Sequence, residues 1–423
     1  LHILFLSDNF PPEVNAPASR TFEHCREWVA AGHQVTVVTC APNFPRGKVF
    51  GGYKNRLWQT ETMEGIKVVR VWTLISANEG FLWRTLDYVS FLIAAILAAP
   101  FTHKADVVVA TSPQFFTAFA GYVVGLLKRA PFVFELRDLW PESIRAVGAL
   151  REGRLLSMLE RIEMFLYRKA AAIVCVTHSF RRILAERGID PAKVEIVTNG
   201  ADLANFRPRP KDAELEGELG LQGKFVCGYI GTHGMAHGLH TLLEAGAKIA
   251  ARGETELCIL MLGDGALKTQ LKVRAAELGL SNVVFLDTVP KAEVGRYWSL
   301  LDLSIIHLKK DNLFQSVIPS KMFESMAMGI PIIMGVKGEA ADIINFTQTG
   351  VVIEPEDAEA LALAILRLRD DPRNYRRMHQ NCSIAAERYS RPALAANMLA
   401  ILESIAKANG SRTATDQQRA DGK

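Results

Sequence analysis

The sequence predicts two α/β domains, each a parallel sheet wound with helices on both faces. Three observations carry this reading. Apolar strand-like runs alternate with amphipathic helical patterns along the whole chain. A turn- and proline-rich stretch just past residue 200 interrupts the alternation. The 423 residues suit two domains of about 200 residues each. At 49% hydrophobic and 22% charged residues, each half can bury a core, which excludes a disordered chain, a collagen-like repeat and a disulfide-stapled miniprotein. A formal net charge of +4 gives no ground to expect nucleic acid as a partner. The mean hydropathy of +0.10 is slightly high for a soluble enzyme.

The strands expected in the first half are His2–Leu6, Gln34–Thr39, Lys67–Trp72, Asp106–Ala110, Phe132–Leu136, Ala172–Val176 and Glu195–Thr198, with helical stretches such as Ser19–Ala31 and Leu155–Lys169 between them. The opening Leu1–Ser7 has no basic region and no cleavage site, so it reads as a strand and not a signal peptide. The second half repeats the theme at Phe225–Ile230, Glu256–Leu262, Val283–Leu286, Leu303–Ile306, Pro331–Met334 and Gly350–Ile353. The boundaries follow as 1–202 for the first domain, 203–224 for a linker carrying Pro208 and Pro210, and 225–391 for the second domain. A helix over 392–408, placed to cross back to the first domain, and a frayed tail over 409–423 complete the chain. Two such domains facing each other make a cleft lined by the carboxyl ends of both sheets, with one substrate held by each.

Cys25, Cys40, Cys175, Cys227, Cys258 and Cys382 include no CxxC pair and read as small buried hydrophobes in a reducing compartment. Tyr88–Thr102 is 15 residues without a charge, short of the roughly 18–20 that span a bilayer. It reads either as a core helix or as a helix whose apolar face dips into a membrane surface, with contact through 81–104. Arg84, Lys104, Lys128 and Arg129 are placed to meet anionic headgroups.

Three motifs carry chemistry. Tyr229–Leu239 is a strand, a loop with Gly231, Thr232, His233, Gly234, His237 and Gly238, and a helix start. Glycines admit a ligand to the backbone, and N–H groups at a helix start attract phosphate. The spacing is not GxGxxG, which counts against a dinucleotide dehydrogenase. Gly263-Asp264-Gly265 is a second such turn. In Phe314–Pro331, Pro319 and Ser320 look like the cap of a helix reaching about Met328, closed by Gly329. Lys321 and Glu324 share a face there, a lysine suited to a diphosphate and a carboxylate to ribose hydroxyls, or else an ordinary surface ion pair.

The stretch PSKMFESMAMGIPII resembles the signature helix of family 4 glycosyltransferases, retaining enzymes that use nucleotide-sugar donors and have the GT-B fold. The resemblance extends to Gly32–Thr39, to Asn199-Gly200-Ala201-Asp202 with Phe206, to Gly263-Asp264-Gly265 and to Thr349-Gly350 with Glu354-Pro355. An RDLWPES element at Arg137–Ser143 is similar to the bacterial N-acetyl-L-fucosamine transferases of O-antigen and capsule assembly. It implies a UDP-sugar donor at Gly231, Thr232, His233, Gly234, His237, Gly263, Ser316, Ser320, Lys321, Glu324 and Glu339. It implies catalytic roles for Arg137, Asp138 and Lys321, and acceptor contacts from Asn15, Arg137 and Asp138. The chain departs from the family in three places. Ser316 stands where the EX7E pair has its first Glu, Thr232 and His237 stand for the usual Arg and Lys, and Arg137 replaces the histidine before Asp138.

The family chemistry asks for positive potential on the leaving diphosphate, here from Lys321, from Lys309 or Lys310, and from backbone N–H groups. No DxD triplet or metal-spaced cluster is present, so no metal and no cofactor are expected, the UDP-sugar being a substrate. The expected acceptor is a lipid-linked glycan or a polysaccharide, used in cell-surface glycan synthesis in the cytoplasm at the inner face of the cell membrane. Two alternatives stay open: a nucleotide-sugar epimerase on the same scaffold, marked by conversion of UDP-sugar without acceptor, and an inactive nucleotide-sugar-binding subunit, marked by binding without turnover.

Overall fold

The computed structural model describes residues 1–421 apart from 14, 45–46, 76–80, 113, 140–152 and 291. Of the RDLWPES element, Trp140, Pro141, Glu142 and Ser143 therefore lie outside the described residues. The chain divides into two units, Leu1–Thr198 with Pro392–Lys423, and Asn199–Arg391.

The first unit holds an eight-stranded sheet of β1 (His2–Leu6), β2 (Gln34–Cys40), β3 (Trp58–Met63), β4 (Ile66–Val71), β5 (Val107–Thr111), β6 (Phe132–Leu136), β7 (Ala172–Cys175) and β8 (Val194–Ile196). The order is β3-β4-β2-β1-β5-β6-β7-β8, parallel except for β3. Ile3 on β1 lies opposite Val35 on one side and Val107 on the other. Central strands such as β5 (VVVAT) are buried along their whole length, as strands covered on both faces must be. The edge strand β3 was not expected. Its sequence, WQTETM, alternates exposed and half-buried positions and has no apolar run to mark it. What fixes it is the two-residue turn before β4, where Glu64 (φ 47°) and Gly65 (φ 80°) both take the left-handed conformation that suits a tight hairpin.

Two helices of this unit matter below. Helix α1 (Ala16–Ala30) starts at Asn15, whose side chain accepts from the Ala18 N–H. Helix α2 (Phe81–Ala98) is followed by a 3₁₀ turn, Ala99–Phe101. The run read from Tyr88 is thus the greater part of α2. Phe91, Ala95 and Ala98 are buried in the core, while Ile93 and Leu97 are exposed. Among the described residues no helix is long and apolar enough to cross a membrane.

The second unit has a six-stranded parallel sheet of β9 (Phe225–Ile230), β10 (Leu257–Leu262), β11 (Val283–Leu286), β12 (Leu303–His307), β13 (Ile332–Gly335) and β14 (Gly350–Val352), ordered β11-β10-β9-β12-β13-β14. The order reverses between β9 and β12, so the carboxyl ends of β9, β10, β12 and β13 surround the place where ligands of open parallel sheets bind.

Two boundaries need correction. The stretch 203–224 is not a linker: Phe206, Leu215 and Leu221 are buried in the second unit's core, and Asp212 caps a short helix, Ala213–Glu218. One buried leucine in a six-residue helix is too brief a pattern to show periodicity. At the other end the final helix runs Arg391–Asp421, past residue 409 where composition suggests a tail. Leu394, Ala395, Met398 and Leu402 join the core of the first unit, and the Trp28 indole donates to the Ala395 carbonyl at 2.9 Å. All six cysteines are buried and none forms a disulfide.

Candidate active site

In the second unit the two glycine turns are one structure. The Gly231 N–H donates to the Leu262 carbonyl at 2.8 Å, the His233 N–H to the Asp264 carbonyl at 2.8 Å, and the Leu267 N–H to the His233 carbonyl at 3.0 Å. A Cβ on Gly263 would collide with the Gly231 carbonyl, so this close approach of backbone to backbone requires glycine. Each turn alone is weak evidence of a ligand site. Locked together at the carboxyl ends of β9 and β10, they make a rigid ledge.

Lys321 reaches the ledge from the first residue of the helix Lys321–Ala327. Its ammonium lies so close under Gly231 that any Cβ there would strike it. It donates to the Tyr229 hydroxyl at 3.1 Å and sits 4.3 Å from the centre of that ring. Burial depresses its pKa to about 8, against which the Glu324 carboxylate, one turn along the helix, pulls upward. The structure thus holds a partly desolvated cation where an anion can be received. His233 and His237 flank the Tyr229 ring at 5.9 Å each. Burial, with Lys268 and Lys321 beside His233 and Lys321 beside His237, lowers both to about 4, so both are neutral at pH 7. His233 is fully buried, and neither of its ring nitrogens has a hydrogen-bond partner. Thr232 is exposed and its carbonyl accepts from the Tyr229 hydroxyl at 2.7 Å. Gly234 opens the 3₁₀ turn Met235–His237.

The remaining donor-side candidates gather on the neighbouring strand ends. Ser316 ends the 3₁₀ turn Asn312–Ser316, and Glu339 begins the helix Glu339–Thr347 with its side chain buried. Gly338 (φ 79°) joins these segments, since a Cβ there would strike the Gln315 carbonyl. Ser320 stands at the helix N-cap position, as the pattern suggested, but in the α conformation and without a capping side-chain hydrogen bond. Lys310 and Lys337 both pair with Glu354, at 2.9 and 2.7 Å, so Lys310 brings a neutralised charge. With Lys309 they line a depression of about 510 Å³. Lys268 is also occupied, donating to the carbonyls of Gly263 and Leu286 and pairing with Asp287. Among these lysines, Lys321 is the one whose ammonium lies against Gly231 of the ledge.

In the first unit, Arg137 and Asp138 leave the carboxyl end of β6. Their N–H groups reach the Ser112 hydroxyl at 2.7 and 3.2 Å. Beneath them Glu135 is buried and takes the Arg20 Nε at 2.8 Å. Arg20, Arg137 and His24 together hold Glu135 down at about 2 against its own burial. Burial lowers Arg137 to about 10, opposed by Glu135, and its Nη1 has no hydrogen-bond partner. Arg20 also donates to the carbonyls of Val197 and Thr198, the last residues before the chain leaves this unit. Asn15 has both polar atoms engaged, its oxygen on the Ala18 N–H and its amide on Asn9.

Four residues of these sites were given no role by the sequence pattern. Tyr229 looks like ordinary strand, and Ser112 and Arg20 like ordinary polar positions. His307, buried at the end of β12, donates from Nδ1 to the His237 carbonyl at 2.8 Å and accepts the Glu356 N–H on Nε2 at 2.9 Å. It ties the glycine loop to the segment after β14. A titratable residue at the carboxyl end of a parallel strand was the available signal. Among the described residues, no three His, Cys, Asp or Glu side chains cluster as metal ligands.

Comparison with known proteins identifies the two domains. Residues 15–200 match the glycosyl transferase 4-like domain and residues 212–384 the glycosyl transferases group 1 domain. WcaI of Escherichia coli (strain K12), named for glycosyl transfer in colanic acid biosynthesis, is 25% identical over 381 residues, covering 86% of this chain and 91% of that protein. The D-rhamnosyltransferase WbpZ of Pseudomonas aeruginosa is 28% identical over 190 residues, 45% of this chain and 47% of that one. The crystal structure of Anabaena HepE with UDP superposes with a TM-score of 0.70 at 17% identity, over 96% of this chain and all of that one. WaaG, a glycosyltransferase involved in lipopolysaccharide biosynthesis, gives 0.65 at 15% identity, over 95% and 99%. With both units matched by the family's two domain models, the chain belongs to the family 4 glycosyltransferases of GT-B fold.

Proposed function

We propose that this enzyme moves a sugar, with retention, from a UDP-sugar to a lipid-linked glycan in the assembly of a cell-surface polysaccharide. The carrying observation is the Lys321 ammonium under the interlocked Gly231 and Gly263 turns, a cation held ready for a diphosphate. HepE has been solved with UDP and with UDP-glucose, and relatives are named for colanic acid synthesis and rhamnosyl transfer, which supports the class of donor and product.

In this reading Lys321 and the N–H groups of the ledge stabilise negative charge on the departing β-phosphate. The acceptor hydroxyl attacks the face that the phosphate is leaving, and a phosphate oxygen takes its proton, so no protein nucleophile is used. Arg137, with its unpartnered Nη1, and Asp138, both oriented by Ser112, position the acceptor or the reacting sugar. Glu324 holds the ribose hydroxyls, and Ser316 and Glu339 border the donor sugar. A deoxy amino sugar such as N-acetyl-L-fucosamine suits a site with Ser316 in place of a glutamate. The reaction needs neither metal nor cofactor, and runs at the inner face of the cell membrane, which the protein meets through 81–104.

Mass-spectrometric product analysis with a panel of UDP-sugars and a lipid-diphosphate-sugar acceptor, with NMR of the new linkage to read its anomeric configuration, tests the proposal. Transfer from UDP-N-acetylfucosamine with retained anomeric configuration is expected. UDP-glucose outperforming it would refute the donor, and an inverted product would refute the mechanism.

A further inference from the structure

A surface helix normally turns one apolar stripe to the core and a polar face to water. Helix α2 has two apolar stripes. Phe91, Ala95 and Ala98 are buried, while Trp83, Leu86, Ile93 and Leu97, at helical spacings of three, seven and four on the other side, are exposed, Leu97 by 65%. Ile93 and Leu97 of this stripe, with Ser90 and Ala94, form one wall of a groove of about 820 Å³, and residues of the β3–β4 hairpin and its flanks form the other. Leu57, Trp58 and Trp72 face Ile93 and Leu97 across it, and Phe101, 75% exposed, closes one end with its ring edge-on to Trp58 at 6.1 Å. The volume lies within the range that accepts a whole small ligand. The groove's only hydroxyl, Ser90, is already used: it donates to the Asp87 carbonyl and accepts the Leu74 N–H. Beyond the indole N–H groups of Trp58 and Trp72, the lining offers nothing to the polar groups of a protein segment, most of which would lose water without compensation. A hydrocarbon chain makes no such demand.

Two further features identify the occupant. Of the five described tryptophans, Trp58 and Trp72 are exposed and line this groove, Trp83 is exposed near the start of α2, and Trp28 and Trp298 are buried elsewhere. Indoles collect in this way where a protein meets the boundary between water and lipid. A basic cluster begins two residues beyond Phe101. His103 and Lys104 are exposed, the Lys67 ammonium is 3.2 Å from His103 Nε2, and Lys128 donates to the carbonyls of Thr102 and His103. The acidic neighbour, Asp106, accepts the His2 N–H. An apolar channel ending at lysines complements a chain that ends in an anion.

We propose that the groove between α2 and the β3–β4 hairpin seats the hydrocarbon chain of a single lipid, with its anionic head at the Lys67, His103 and Lys104 cluster. The proposal deepens the reading of a lipid-linked acceptor and rests on it for the lipid's identity, a prenyl phosphate derivative.

The test is titration of the full-length protein with farnesyl phosphate below its micellar concentration, followed by tryptophan emission, with inorganic phosphate in parallel. A saturable blue shift with farnesyl phosphate and none with inorganic phosphate is expected. The double variant Ile93→Asp, Leu97→Asp alters exposed positions, so it should fold, and should bind roughly tenfold or more weakly. Lys104→Glu should weaken binding severalfold and make it less sensitive to salt. Absence of saturable binding, or equal binding by the double variant, would overturn the proposal. So would a self-associated wild type dispersed by the double variant in sizing, which would assign the groove to a second copy. Flotation with phosphatidylglycerol vesicles but no binding of the monomeric lipid would also overturn it, in favour of a face lying flat on the bilayer. Farnesyl phosphate binding with no transfer to any prenyl-linked acceptor would leave the groove standing and sink the acceptor reading instead.

Discussion

Replacing Lys321 by Met should strengthen the ligand-free protein and weaken its hold on UDP. The substitution keeps most of the side-chain volume and removes only the charge. In the folded chain burial brings the ammonium from its ordinary 10.5 to about 8. At about 1.4 kcal/mol per pKa unit, holding the charged form there costs about 3 kcal/mol, and the remaining contact with water reduces this to about 1–2 kcal/mol. Because the folded pKa is lowered, the penalty is complete below pH 8, where both folded and unfolded chains carry the proton. It fades as pH rises from about 8 toward 10.5, where the unfolded chain binds more protons and wild-type stability climbs. The Met variant should be more stable by about 1–2 kcal/mol in urea unfolding at pH 7 and should lack that climb. Calorimetry with UDP should read the opposite change. Losing a charge-assisted contact to the diphosphate is worth about 1.5–3 kcal/mol, or roughly 10–150-fold in Kd at pH 7. Wild-type affinity should fall as pH rises through about 8, with proton uptake on binding, while the variant's affinity stays level. Equal affinities at pH 7 and parallel pH profiles would refute the placing of Lys321 on the diphosphate. A destabilised variant would refute the burial argument.

Three other changes test the supporting structure. Glu135→Gln leaves Arg20 and Arg137 without their buried counter-charge and should cost about 3–5 kcal/mol in denaturant unfolding; since the Glu135 pKa is lowered to about 2, the wild type should lose this stability as pH falls from 4.5 toward 2, a dependence the variant lacks. His307→Phe removes the ring that holds the His237 carbonyl and the Glu356 N–H, and should raise KM for the donor about tenfold with little change in kcat, His307→Gln recovering part of it; an unchanged KM would show that the tie is not needed. Gly263→Ala sets a Cβ against the Gly231 carbonyl and should lower UDP affinity by more than about tenfold while the first unit unfolds as in the wild type; wild-type affinity would show that the ledge is not the diphosphate site.

Much of this protein is legible in its sequence because parallel strands buried on both faces must be nearly continuous apolar runs. Strands β1, β6, β9 and β11 stand where the runs put them, residue for residue. Strand β3 escapes because it is a polar edge held by a turn and by pairing with β4. The residues 203–224 escape because a proline-rich stretch looks the same whether it is a tether or is packed through Phe206 and Leu221. Within the site, Lys321 and Glu324 were visible as neighbours on one helix, whereas Lys321 and Tyr229 are 92 residues apart and meet only in the folded unit.

The sequence by itself determined the two-unit α/β plan, the strand ends that carry the glycine turns, and the helix that carries Lys321. These follow from local periodicity and local turn chemistry. Only the tertiary structure decided that Gly231 and Gly263 form one ledge, that Lys310 is neutralised by Glu354, and that α2 shows apolar side chains to both core and water. Each of these depends on which distant segments share a few ångströms, and on which face of an element is covered. A linear pattern specifies the face's composition and leaves its neighbour open.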